Sequence, residues 1–284
     1  MTESFASYDG AVLAYRRSGA GDPLVCLPGG PGRDARYLGD LGGLAERAGC
    51  ELIIFEPRGT GASAVPADPG TYRVDRMVGD VEALRAHLGL DQMGLLGHSV
   101  GGDLALLYAA RYPERIARLV LVGPALQSVG LDVPDDEFLA NLDRRSAEPW
   151  FADAKAAVLA AFAGDASAET RRRYRPFLYG RWDEAARAHD AADAPNPAVA
   201  AVYYAEAALD LADTRARLAK VTAPVLFLIG ELDNSPTPGL AAEAAALFGT
   251  GEVIVQPGAA HFPWIDDPAW FTSAVSGFLA RSGN

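Results

Sequence analysis

Short apolar runs bounded by glycine and proline alternate along the chain with longer stretches whose apolar residues recur every three or four positions. The runs fall at 24–27, 52–55, 93–96, 119–122, 225–229 and 253–255, and the helical patterns near 76–88, 100–111, 239–248 and 268–281. Continuous apolar runs of this length read as parallel strands covered on both faces, because no polar residue alternates to meet water. Ahead of them, residues 3–8 and 11–17 alternate about Asp9-Gly10, a hairpin signal. Two hairpin strands and six runs predict a mostly parallel eight-stranded sheet with helices on both faces, an α/β doubly wound fold entered through an antiparallel hairpin.

The alternation breaks between about 125 and 215, where alanine-rich, charged helical patterns appear near 135–146, 151–163, 168–175, 181–191 and 197–218, punctuated by Pro149, Pro176, Pro195 and Pro197. A structureless loop of that length does not suit a compact domain. The pattern predicts a core of 1–124 and 216–284, with 125–215 as a helical cap over the carboxyl end of the sheet, where such folds bind ligands.

The most informative stretch is Leu95-Leu96-Gly97-His98-Ser99-Val100-Gly101-Gly102, at the junction of the run at 93–96 and the helical pattern that follows. Gly-x-Ser-x-Gly between a strand and a helix is the pattern of a tight turn that lifts a serine hydroxyl clear of a sheet. A side chain at Gly97 or Gly101 is expected to collide with the neighbouring strand or helix. A serine alone is a poor nucleophile, so a base and an acid are needed. Of the four histidines, His87 falls in a solvated helical pattern, His98 lies within the turn and is expected to point away from Ser99, and His189 lies in the insertion. His261, in Gly258-Ala259-Ala260-His261-Phe262-Pro263, follows the last strand and is the expected base.

Glu231 and Asp233 both leave the strand at 225–229, and Asp233, further out on the turn, is the expected acid. The segment after the strand at 119–122, Gly123-Pro124-Ala125-Leu126, holds no carboxylate that could replace it. Backbone N–H groups must then receive the oxyanion. Val100, directly after the serine, offers one. The loop Leu27-Pro28-Gly29-Gly30-Pro31-Gly32 offers the other, assigned to Gly30 with Gly29 as the alternative. The order Ser99, Asp233, His261 is that of the α/β-hydrolase fold.

Composition narrows the picture further. A net charge of −12 without a basic patch excludes nucleic acid as an expected partner. The two cysteines, Cys26 and Cys50, border apolar runs outside any metal-ligand spacing and are expected to be buried, reduced thiols. No metal or cofactor is expected. No apolar run approaches a membrane span, and residues 1–10 carry no leader-like apolar segment, so the expectation is a soluble cytoplasmic protein without a membrane partner.

Together these motifs resemble the α/β-hydrolase superfamily and, within it, the proline iminopeptidase-like group, over roughly 20–123 and 220–281. Pro28-Gly29-Gly30-Pro31-Gly32 is similar to that group's His-Gly-Gly-Pro-Gly, with proline for histidine. Glu56-Pro57-Arg58-Gly59-Thr60-Gly61-Ala62-Ser63 is similar to its Asp-Gln-Arg-Gly-x-Gly-x-Ser, departing at Glu56 and Pro57. Ala260 replaces the glycine of the usual Gly-x-Gly-His block. The resemblance implies hydrolysis of a small-molecule or short-peptide acyl substrate by a serine enzyme without cofactor. Peptidases of the group hold the substrate amine with cap carboxylates, for which Glu206 and Glu148 are the counterparts to weigh. Gly29, Trp150 and Tyr204 are further expected substrate contacts. Esterase, lactonase and natural-product-releasing hydrolase activities remain open beside aminopeptidase, as does a ligand-binding sensor built on the same scaffold. Oligomeric state is not legible.

Overall fold

The computed structural model describes residues 2–191, 195–205 and 209–281. Eight strands form one sheet: β1 (Thr2–Ala6), β2 (Val12–Gly19), β3 (Asp22–Leu27), β4 (Cys50–Glu56), β5 (Met93–His98), β6 (Ile116–Val122), β7 (Val225–Gly230) and β8 (Gly251–Gln256). Their spatial order is β1-β2-β4-β3-β5-β6-β7-β8. β1 and β2 pair antiparallel, β2 meets β4 antiparallel, and the remaining pairings are parallel. The expected eight-stranded, mostly parallel sheet is therefore present.

The apolar runs work as anticipated. Within β3, Val25 and Leu27 point to one face while Leu24 and Cys26 point to the other, and Leu119 and Leu121 oppose Val120 and Val122 in β6. Both faces are dry because helices cover them. On one side lie α2 (Val74–His87), α3 (Val100–Arg111), α9 (Leu211–Leu218) and α10 (Pro238–Ala245). On the other lie α1 (Leu44–Ala48), α7 (Glu184–Ala191), α11 (Pro263–Asp266) and α12 (Pro268–Leu279). β8 departs from the expectation of burial on both faces. It is an edge strand, mostly half-buried, with Val255 exposed. Cys26 and Cys50 are buried free thiols.

Between β6 and β7 the chain is helical, with α4 (Asp135–Leu142), α5 (Phe151–Phe162), α6 (Ala168–Tyr174), α7, α8 (Pro197–Ala200) and α9. Leu142, Ala154, Val158 and Phe177 form a small apolar core of their own, flanked by Phe138, Trp150 and Tyr174. One expectation needs correction. The continuous helix anticipated over 197–218 is two helices, α8 and α9, the second started by Asp210, whose carboxylate accepts from the Asp213 N–H. Residues 215 and 216 both lie within α9. That helix packs on α3, with Leu218 fully buried and Arg215 Nε donating to Val129 O at 2.6 Å.

β3 is central, and the chain leaves it toward β4 and then crosses back to β5 on its other side. The loops after β3 and β5 diverge at this reversal and open a crevice at the carboxyl ends of the strands. The serine turn and the glycine–proline loop both border it.

Candidate active site

Ser99 joins β5 to α3 with φ 54° and ψ −124°, a positive φ that a non-glycine residue adopts only where its surroundings enforce it. Enforcement comes from both sides of the turn. Ser99 N–H donates to Val122 O at 3.1 Å, and Ser99 O accepts from the N–H groups of Gly102 and Ala125, both at 2.8 Å. A Cβ at Gly97 would lie 2.5 Å from Gly101 O, and one at Gly101 would lie 2.3 Å from Leu27 O. The collisions expected at these glycines are real, because helix, turn and β3 touch backbone to backbone.

His261 and Asp233 meet at the neighbouring strand ends. His261 Nδ1 lies 3.0 Å from Asp233 Oδ2, and Asp233 is buried. The second Asp233 oxygen accepts from Ser235 N–H at 3.1 Å. Glu231 is excluded as the partner of His261. It is half-exposed, accepts from Gly258 N–H and pairs with Arg144 at 3.4 Å. The absence of a side chain at Gly123 is also explained. A Cβ there would stand 2.8 Å from Asp233 Oδ2 and 3.3 Å from His261 Nδ1, so the end of β6 must be bare for the Asp233–His261 pair to fit. Among the described residues, no hydrogen bond joins the Ser99 hydroxyl to His261. Such contacts commonly tighten only with substrate in place.

Ser99, Val100, Asp233 and His261 share a cavity of about 250 Å³. Its walls include Ala125, Phe138, Leu142, Val158, Tyr174 and Phe177, and its polar members include Gln127, Tyr204, Asn234 and Ser235. At the oxyanion loop, Gly29 N–H is already committed to the Tyr37 hydroxyl. Gly30, at φ +63°, lines a narrow gap together with Val100, whose N–H is in the first turn of α3, where helical N–H groups lack intrahelical partners. Gly29 touches Ser99 instead: a Cβ there would meet Ser99 Cβ at 2.5 Å.

The remaining expected contacts divide. Tyr204 lines the cavity and donates its hydroxyl to Asp103 Oδ2 at 2.7 Å. Trp150 stands one layer back, stacked edge-on against Phe177 with centroids 5.0 Å apart and lying against the Arg145 guanidinium. It is absent from the cavity lining and supports Phe177, which is part of that lining. Glu206 lies outside the described residues. Glu148 pairs with Arg145 at 3.2 Å. The Arg58 motif does not line the cavity: the buried guanidinium holds Asp80 of α2 and Asp9 of the hairpin, while Glu56 pairs with Arg16.

Sequence reasoning assigned no role to four buried polar groups. Asp103, in the first turn of α3, accepts from Ser128 N–H and Tyr204 Oη, and burial pushes its carboxyl up to about 6. Asp266 accepts from Ala260 N–H and Gly180 N–H, both at 2.8 Å, so it fastens the His261 loop to the insertion, and burial pushes it also to about 6. His98 and Tyr37 join the serine turn to the loops on either side. A lone carboxylate in an apolar segment, as Asp103 in Gly101-Gly102-Asp103-Leu104-Ala105-Leu106, is a signal that the sequence displays, whereas Asp266 stands beside Asp267 and carries no such mark.

The sheet order, the helices between β6 and β7, and the serine at the β5 turn define a protein of the α/β-hydrolase class. A family-level sequence profile described as alpha/beta hydrolase fold matches residues 22–268, and the chain belongs to that family. It is 28% identical over 269 residues to a proline iminopeptidase of Levilactobacillus brevis, covering 91% of this chain and 88% of that protein. It is 45% identical over 101 residues to a proline iminopeptidase of Lactobacillus helveticus, a match spanning only about a third (34%) of that relative's length. Among solved structures, an esterase from Rhodococcus sp. ECU1013 superposes with a TM-score of 0.75 at 26% identity, over 100% of this chain and 99% of that one. Among the described residues no helix is long and apolar enough to cross a membrane.

Proposed function

We propose that this protein is a serine hydrolase that cleaves esters of small, neutral, apolar acyl groups through an acyl-enzyme. The observation that carries the reading is the His261–Asp233 hydrogen bond at 3.0 Å beside Ser99, on one cavity walled mainly by apolar side chains. Ser99 Oγ attacks the acyl carbon while His261 Nε2 takes its proton. Asp233 accepts from Nδ1–H, fixing the tautomer and stabilising the imidazolium. The N–H groups of Gly30 and Val100 receive the charge on the carbonyl oxygen. His261 returns its proton to the departing alcohol, then activates the water that releases the acid.

A second reading is supported by the relatives named proline iminopeptidase. It requires an anionic partner for a substrate amine. Among the described residues the cavity wall contributes one carboxylate, Asp233, which is already engaged with His261; Glu206 lies outside them. Initial rates on prolyl β-naphthylamide against acetyl, butyryl and benzoyl p-nitrophenyl esters separate the two. Turnover of the esters with kcat/KM at least tenfold above the prolyl amide supports the esterase reading, and the reverse ranking overturns it. Ser99→Ala is the common control.

A further inference from the structure

Beneath the cavity runs a buried chain of hydrogen bonds that the mechanism above does not use. Gly29 N–H donates to Tyr37 Oη, Tyr37 Oη lies 2.7 Å from His98 Nδ1, and His98 Nε2 lies 2.9 Å from the backbone oxygen of His261. The carbonyl oxygen of His261 only accepts, so Nε2 of His98 carries the hydrogen. Nδ1 of the neutral ring is then the acceptor, and Tyr37 must donate to it. Burial holds the His98 imidazole well below its usual range and the Tyr37 phenol well above its own, so neither group charges near neutrality and the direction of the chain is fixed.

The same arrangement repeats one step outward. His189 Nε2 lies 2.9 Å from Tyr37 O, and Tyr179 Oη lies 2.8 Å from His189 Nδ1. By the same logic His189 donates to Tyr37 and accepts from Tyr179, and burial lowers the His189 imidazole to about 4. The His261 N–H completes the attachment by donating to Leu178 O in the insertion at 3.0 Å. His98 therefore sits between the two loops that must cooperate. One end of its hydrogen-bond chain is the residue before Gly30, and the other is the backbone of the base.

We propose that Tyr37 and His98 are positioning residues that hold the oxyanion loop and the base loop in a common register around Ser99. Among the described residues, neither forms a hydrogen bond to a reacting atom; the His98 ring lies against that of His261, with centroids 4.8 Å apart. The proposal rests on the serine-hydrolase reading for its kinetic consequences, but its structural core, the coupling of two loops through one hydroxyl, is independent of catalysis. Tyr37→Phe removes that hydroxyl and leaves the ring against Phe262 and Trp264. His98→Gln keeps a donor near the Nε2 position and loses the acceptor toward Tyr37, whereas His98→Ala loses both.

Amide hydrogen exchange on the full chain tests the coupling. Tyr37→Phe should speed exchange at residues 28–33 and 258–262 together, while β3, β5 and β6 keep parental rates. Faster exchange in only the first loop, in neither loop, or across the whole sheet overturns the proposal. Kinetics on the ester series test the consequence. With rates normalised to fluorophosphonate-titrated sites, kcat should fall by about tenfold to a hundredfold, the effect of misplacing reacting groups by a fraction of an ångström to an ångström, with KM within threefold. His98→Gln should recover part of what His98→Ala loses. An unchanged kcat per titrated site in Tyr37→Phe overturns the positioning role, since a purely structural defect lowers only the number of sites. If the parent neither labels nor turns over any ester, the serine-hydrolase reading fails, and hydrogen exchange still decides the coupling.

Discussion

The bare end of β6 offers a sharp test of the site. Gly123 sits at φ +46°, and an added Cβ would stand 2.8 Å from Asp233 Oδ2 and 3.3 Å from His261 Nδ1. The first distance is roughly 0.6 Å inside the onset of ordinary van der Waals contact. Asp233 is buried and held from behind by Ser235 N–H, so it cannot swing away freely. Gly123→Ala should therefore incur two separable effects. The positive φ costs about 1–2 kcal/mol of stability for a residue with a Cβ. Displacement of Asp233 by about half an ångström should lower kcat roughly tenfold to a hundredfold with KM nearly unchanged. Gly89→Ala is the control, at φ +69° with nothing within 4 Å of the added carbon, and should show the stability loss alone. Urea midpoints and kcat on p-nitrophenyl esters measure the two effects. If Gly123→Ala keeps kcat within twofold of the parent while Gly89→Ala is equally destabilised, Asp233 is not held where its partnership with His261 requires it.

Four further outcomes follow from the same geometry. Ser99→Ala should lose fluorophosphonate labelling and about 10⁴-fold or more of ester turnover while keeping its fold by circular dichroism. Asp233→Asn should lower kcat by about 10⁴-fold, because an amide donor facing Nδ1 favours the wrong imidazole tautomer, whereas Glu231→Gln should stay within a few-fold; equal losses at both positions would remove the distinction between them. Asp103 and Asp266, both raised to about 6 by burial, hold protons more tightly folded than unfolded, so unfolding free energy should fall as pH rises from about 4 to about 6. Asp103→Asn should flatten part of that slope in urea titrations at stepped pH. Ala125→Leu, which extends a cavity-lining side chain, should raise KM for benzoyl esters about tenfold or more and leave acetyl esters within threefold.

Much of this protein was legible before any coordinates, for a physical reason. Strand identity is written in apolar runs such as 119–122, whose two-faced burial requires helices on both sides. The serine turn is written in Gly97 and Gly101, which must lack side chains because backbones touch there. These are local requirements, and local sequence states them. The preference for Asp233 over Glu231 was readable as position on a turn, and the structure supplies its cause in the space left by Gly123.

Other features exist only once distant segments meet. Gly29 and Gly30 are equivalent in sequence, and Tyr37 separates them by engaging the N–H of Gly29. Trp150 and Tyr204 both read as aromatic residues of the insertion, yet one backs Phe177 and the other reaches the cavity, a difference decided by helix packing. The helix expected over 197–218 breaks because Asp210 caps a new start and α9 turns to bury Leu218 against the sheet. His98 is expected from the sequence only to point away from Ser99; its partners lie at positions 37 and 261, and only folding brings them into hydrogen-bond range. The sequence by itself determined the sheet, the turn and the order of Ser99, Asp233 and His261, because each is enforced by neighbours along the chain. The tertiary structure alone decided which N–H groups stay available, which aromatic side chains face the cavity and how the loops are tied together, because those depend on contacts between residues that the chain keeps far apart.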